Sequence, residues 1–164
     1  MPLIKIVLYN SINILLTIIT PKTRKGNKIM NAKIIMSTVY NVLMDEGYRP
    51  KKEKPCPDHT ILTFKAQGIP LMIPASDDNY ITISAGLKMR YTKEFGRLDV
   101  YKLVNQYYCM KVERVEFQDN KSYLCLIISY QTLAFNSNDV KEIIENGIET
   151  ITCCIEELEE ISNS

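Results

Sequence analysis

The stretch TILTFKAQGIPLMIPASDDNYITISAGL, residues 60–87, decides the fold. Leu62, Phe64 and Ala66 alternate with Thr63, Lys65 and Gln67, the two-residue period of a half-buried strand. Gly68 turns the chain into a second strand, Ile69 to Ile73, and Asp77-Asp78-Asn79 has the composition of a turn. A third strand follows at 80–87, with Ile81, Ile83, Ala85 and Leu87 on one face. Three consecutive strands with short connections predict an antiparallel meander.

Working outward, residues 31–46 read as a helix, with Ile35, Val39, Val42 and Leu43 at helical spacing and Gly47 where a left-handed cap is wanted. Between Tyr48 and Asp58 lie Pro50, Pro55 and Pro57, so this segment is a loop or a short edge strand. Downstream, Asp99 or a near neighbour caps a helix to about Met110, burying Val100, Leu103, Val104 and Tyr107. Strands at 111–118 and 121–130 are joined by Asp119-Asn120, a hairpin turn. Tyr123 to Tyr130 is apolar on both faces and reads as a central strand.

A last helix, capped by Asn138 or Asp139, runs to about Ile161. Val140, Ile144, Ile148, Ile151, Ile155 and Leu158 form its apolar stripe, and Gly147 beside them permits a close backbone approach. The fold class is α+β: helix, three-strand antiparallel meander, helix, two-strand hairpin and long C-terminal helix. A single sheet with helices packed on one face is expected.

The 164 residues carry a formal charge of +1, unevenly spread. Residues 1–29 hold five cations and no acid; residues 136–164 hold Lys141 against eight acids. Leu3 to Thr20 is rich in Ile and Leu but includes Lys5, Asn10, Ser11 and Asn13, a poor match to a membrane span. Its cations follow the apolar run, which argues against a cleaved signal peptide. Three readings stand for this leader: a leading strand or helix of the fold, a weak apolar anchor over residues 3–20, or a stretch upstream of a true start at Met30. The domain division is therefore a leader, 1–29, and one α+β domain, 30–161. Unless residues 3–20 are an anchor, no membrane partner is expected.

Chemistry-bearing patterns are sparse. Cys56-Pro57-Asp58-His59 has a Cys-x-x-His spacing, but His59 is the only histidine and a structural zinc needs four ligands. Five cysteines at irregular spacing suggest no disulfide framework and suit a reducing cytoplasm. There is no phosphate-binding glycine loop, and Cys56–His59 is the only local nucleophile–base pair, with no orienting motif around it. We expect no catalytic residues, no metal and no cofactor. Ten tyrosines could stack nucleobases on an open sheet face, but from Met30 onward the chain nets −4, unfavourable for a phosphate backbone. Nucleic acid is thus not the expected partner.

Several segments carry a family likeness: Asp45-Glu46-Gly47-Tyr48-x-Pro50, Thr63-Phe64-Lys65-Ala66-Gln67-Gly68-Ile69 and Val100-Tyr101-Lys102-Leu103-Val104-Asn105. Val112-Glu113-Arg114-Val115 and Tyr123-Leu124-Cys125-Leu126 complete it. With the order of elements, these resemble the YbjN-like bacterial proteins, described as proposed sensory-transduction regulators, within the type III secretion chaperone-like fold. The resemblance spans about Met30 to Leu158; the residues before Met30 depart from the family pattern. It implies a cytoplasmic, non-catalytic protein, often a homodimer, that works through protein contacts. The candidate interaction surface is then Ile144, Ile148, Ile151, Ile155 and Leu158 of the last helix with Tyr123 and Ile127 of the central strand. On that reading Ile151→Glu weakens a dimer more than it disturbs secondary structure. The alternative is a small-ligand or nucleic-acid-binding module using the open sheet face.

Overall fold

A computed structural model describes residues 4–6, 32–56, 59–76, 79–90, 97–114 and 123–163. The chain runs β1 (Ile4–Ile6), α1 (Ala32–Asp45), β2 (Lys51–Cys56), β3 (His59–Ala66), β4 (Ile69–Pro74) and β5 (Tyr80–Arg90). It continues α2 (Arg97–Val104), β6 (Met110–Arg114), β7 (Tyr123–Leu133) and α3 (Asp139–Asn163). The strands form one antiparallel sheet in the order β2-β3-β4-β5-β7-β6, with β1 added beside β5. The expected α+β arrangement is present. Beyond the expected five strands, the sheet gains β2, an edge strand in the proline-containing segment, and β1, from within the leader. Residues 77 and 78 of the expected turn, residues 115–118 of the expected strand 111–118, Asp119-Asn120, and residues 1–3 and 7–29 of the leader lie outside the described residues.

Local chemistry sets the element ends. Gly47, at φ 84°, ends α1 in a Schellman motif: its N–H donates to Met44 O (3.0 Å) and the Tyr48 N–H to Leu43 O (2.9 Å). Gln67 and Gly68 both have positive φ between the paired Ala66 and Ile69, the two-residue hairpin that matches strand twist. Helix α2 stops at Val104 rather than Met110, because Gln106 N–H and Tyr107 N–H bond only three residues back, to Leu103 and Val104. The α3 cap also differs from expectation. Asn136 Oδ1 accepts from the N–H groups of Asn138 (2.8 Å) and Asp139 (3.2 Å), while Asp139 Oδ2 accepts from Asn136 N–H (3.1 Å). This reciprocal pair satisfies N–H groups that the first helical turn would otherwise leave open.

The core lies between one sheet face and the three helices. Leu62, Phe64, Ile69, Leu71, Ile73, Ile81, Ile83, Leu126 and Ile128 supply the sheet side, met by Val39 and Leu43 of α1 and Val100 and Val104 of α2. The α3 stripe closes it. Tyr48 packs on Phe64, ring centroids 5.6 Å apart, tying the α1 exit to β3. Lys141 joins Glu46 at 2.8 Å, linking the start of α3 to the end of α1. At Gly147 an added Cβ would stand 2.6 Å from Ile83 Cδ1 and 2.7 Å from Tyr130 Cδ1. The close approach expected of this glycine is therefore made to side chains of β5 and β7.

Candidate interaction surface

The register assigns each strand residue to one of two sheet faces. Opposite the helices, Thr63 stands across from Met72, Met72 from Ser84, Ser84 from Ser129, and Gly86 from Ile127. Ile61 shares this second face, two residues from Thr63. Its polar groups are mutually satisfied. Thr63 Oγ1 donates to Glu53 Oε1 (2.9 Å), the Ser84 and Ser129 hydroxyls lie 2.9 Å apart, and Gln131 Nε2 donates to Thr82 Oγ1 (3.2 Å). Lys111 Nζ donates to Gln131 Oε1, extending this chain of contacts to β6. Burial raises the Glu113 carboxyl above its ordinary range, and Lys111 opposes that only in part.

At the end of this face, where β5 begins and β7 ends, Tyr80 and Leu133 are direct cross-strand partners. Tyr80 is 40% and Leu133 37% exposed, and Phe135, just beyond, is 71% exposed. Tyr108 is also exposed, in the loop whose Cys109 carbonyl accepts from Gln131 N–H. Apolar and aromatic residues thus gather in the open at one end of the sheet. Such groupings are informative where scattered exposed apolar residues are not.

The sequence-derived surface is placed differently from what its periodicity suggested. Ile144, Ile148, Ile151, Ile155 and Leu158 are all buried within the chain's own core, against the sheet. The physical reason is that the sheet's first face itself requires an apolar layer, and α3 is the longest helix able to provide it. Ile127 lies on the second face and is buried as well. Tyr123 pairs across from Arg90 at the far end of β7. The Tyr80–Leu133–Phe135 end was missed; its signal was only that aromatic and apolar residues flank Asn79 and Ala134 at both strand limits.

Titratable groups follow their surroundings. The Tyr107 hydroxyl donates to Glu157 Oε2 (2.6 Å), and that bond, with burial and the Glu157 charge, holds the phenol well above its usual range. Burial first, then Glu157 and Cys153, pushes the Cys154 thiol up to about 12. A thiol so shifted is a poor nucleophile. Cys56 and His59 face each other as the last register pair of β2 and β3, so their spacing is that of a strand connection. No group of three or more His, Cys, Asp and Glu that could hold a metal occurs among the described residues. No described helix is long and apolar enough to cross a membrane.

No protein-family profile matches this chain, and no curated protein matches it. Among solved structures it is similar to YbjN from E. coli, described as a proposed transcription regulator. The match has a TM-score of 0.52 at 17% identity and covers 74% of this chain and 89% of YbjN. The fold is YbjN-like. In this YbjN-like chain the long C-terminal helix is a core element, and the exposed apolar end of the sheet lies on the side away from it.

Proposed function

We propose that this chain is a non-catalytic, chaperone-like regulatory protein that acts in the cytoplasm through a protein partner and self-associates as a homodimer. The observation that carries the reading is the exposed Tyr80–Leu133–Phe135 group. Large aromatic anchors of this kind dominate binding energy where an interface forms. The YbjN-like fold supports the regulatory part. The burial of Met72, Ser84 and Ile127 on the second sheet face favours this reading over a small-ligand or nucleic-acid-binding module that uses an open sheet face.

Light scattering at tens of micromolar tests the homodimer, with about twice the 18.9 kDa chain mass expected. Phe135→Glu should return the monomer mass while circular dichroism stays unchanged. A wild-type monomer at that concentration removes the homodimer. A dimer indifferent to Phe135→Glu removes this surface.

A further inference from the structure

The sheet ends on two edges that differ in kind. At one, β2 carries Pro55 and a register shift between Glu53 and Cys56, devices that discourage a foreign strand from pairing. At the other, β6 has no proline, and its register with β7 runs unbroken from Met110 to Arg114. The Gln131 N–H donates to Cys109 O (3.0 Å) in line with that register, so bonded and non-bonded pairs alternate from there along the ladder. Lys111 and Glu113 therefore turn their main-chain groups toward β7, and Met110, Val112 and Arg114 direct theirs outward. Among the described residues no strand lies beyond β6 and no backbone hydrogen bond reaches those outward groups.

We propose that the β6 edge is the docking site for β6 of a second copy, the two strands running antiparallel about a two-fold axis through Val112. The inference rests on the homodimer reading and gives it a main-chain interface. Val112 then exchanges bonds with the partner's Val112, and Met110 with the partner's Arg114, so the outward groups of the strand are all used. Side chains at the intervening positions select this occupant. The axis sets Lys111 directly opposite the partner's Glu113, and Glu113 opposite the partner's Lys111. These are non-hydrogen-bonded pairs, whose Cα atoms approach to about 4.5 Å, and opposite charges there are favourable. A slip of two residues either way would bring Lys111 against Lys111 or Glu113 against Glu113, so the same charges fix the register.

Charges on an edge strand ordinarily guard it against pairing. A row of one sign would do so here, but the two-fold axis turns Lys111-Val112-Glu113 into its own complement. Burial already raises the Glu113 carboxyl, and Lys111 of the same chain opposes that only in part, so a second ammonium across the edge supplies the missing countercharge. The exposed apolar group adjoins this edge. Tyr108, 88% exposed, stands two residues before Met110. Leu133 lies three residues past Tyr130, the partner of Met110, which is about 10 Å along β7. The apolar group contributes side chains to association and the β6 edge contributes main-chain bonds, so each can be tested separately.

Sedimentation equilibrium of the full chain tests it. Val112→Pro removes the outward N–H but no bond to β7, and edge strands accept proline at such positions. It should raise the dimer dissociation constant at least about tenfold, with circular dichroism unchanged. Chains carrying K111E repel one another in this register, as do chains carrying E113K, and each alone should dimerise about tenfold more weakly than wild type. Mixed in equal amounts, the two variants are complementary at both positions and should recover the wild-type constant. Where Val112→Pro alters the dichroism, the mixture decides. A folded Val112→Pro chain that dimerises like wild type, or a mixture no tighter than its separate components, overturns the β6 pairing and leaves the homodimer reading standing. A wild-type chain that stays monomeric overturns both.

Discussion

Gly147 is where helix and sheet come closest, and its missing side chain is a packing requirement. Ala there would improve helix propensity by up to about 1 kcal/mol but drive a methyl into Ile83 and Tyr130. Overpacking of this kind costs about 1–3 kcal/mol, so Gly147→Ala should lose about 1 kcal/mol net in urea unfolding. An unchanged midpoint would show that the Tyr130 ring moves aside freely. The need for a close approach at this glycine was legible from its place beside the apolar stripe. What approaches was not, because helical spacing reports that one side is buried and carries no address for the burying surface. The same gap sent Ile144, Ile148, Ile151, Ile155 and Leu158 to a second subunit, whereas the chain's own sheet receives them.

Among the elements, α3 depends on a cap that sequence reading placed two or three residues late. Asn138 and Asp139 directly precede the periodic run, but Asn136 makes the cap and Asp139 returns the bond. The usual signature is Ser or Thr followed by Glu or Gln, so an Asn-x-x-Asp pair escapes it. Asn136→Ala should cost about 1 kcal/mol, seen as a lowered urea midpoint with unchanged slope. The meander, by contrast, was readable almost residue by residue, because Leu62–Phe64–Ala66 and Ile81–Ile83–Ala85–Leu87 alternate cleanly and Gly68 punctuates them. Helix α2 was overextended because Tyr107 continues the helical spacing, although the backbone has already tightened into a turn.

For the molecule as a whole, the single core makes two outcomes predictable. Ile151 is fully buried in it, so Ile151→Glu should abolish cooperative unfolding instead of merely loosening self-association. An uncompensated charge there exceeds the 4 kcal/mol or so that separates ordinary from exceptional substitutions. A folded, monomeric Ile151→Glu protein would contradict this placement. Alkaline pH should also destabilise the fold. Cys154 holds its proton up to about 12 in the folded chain, against 9.0 for an exposed thiol, and Tyr107 and Tyr130 are raised too. The unfolded chain therefore releases protons first, and stability present below pH 9 declines as pH rises toward 12. Thermal midpoints across that range should fall, less steeply in Cys154→Ala; a flat profile would show that these groups are not protected.

The seat of Gly147 also has a kinetic meaning. It is built from Ile83 and Tyr130, direct partners in the β5–β7 pairing but far apart along the chain. The β3–β4 hairpin closes over two residues and can form early, whereas β5 and β7 must find each other across a long intervening segment. Until they do, α3 has no complete surface on which to settle. Docking of the last helix is then a late event, and Gly147→Ala should appear chiefly as faster unfolding, with the refolding limb nearly unmoved.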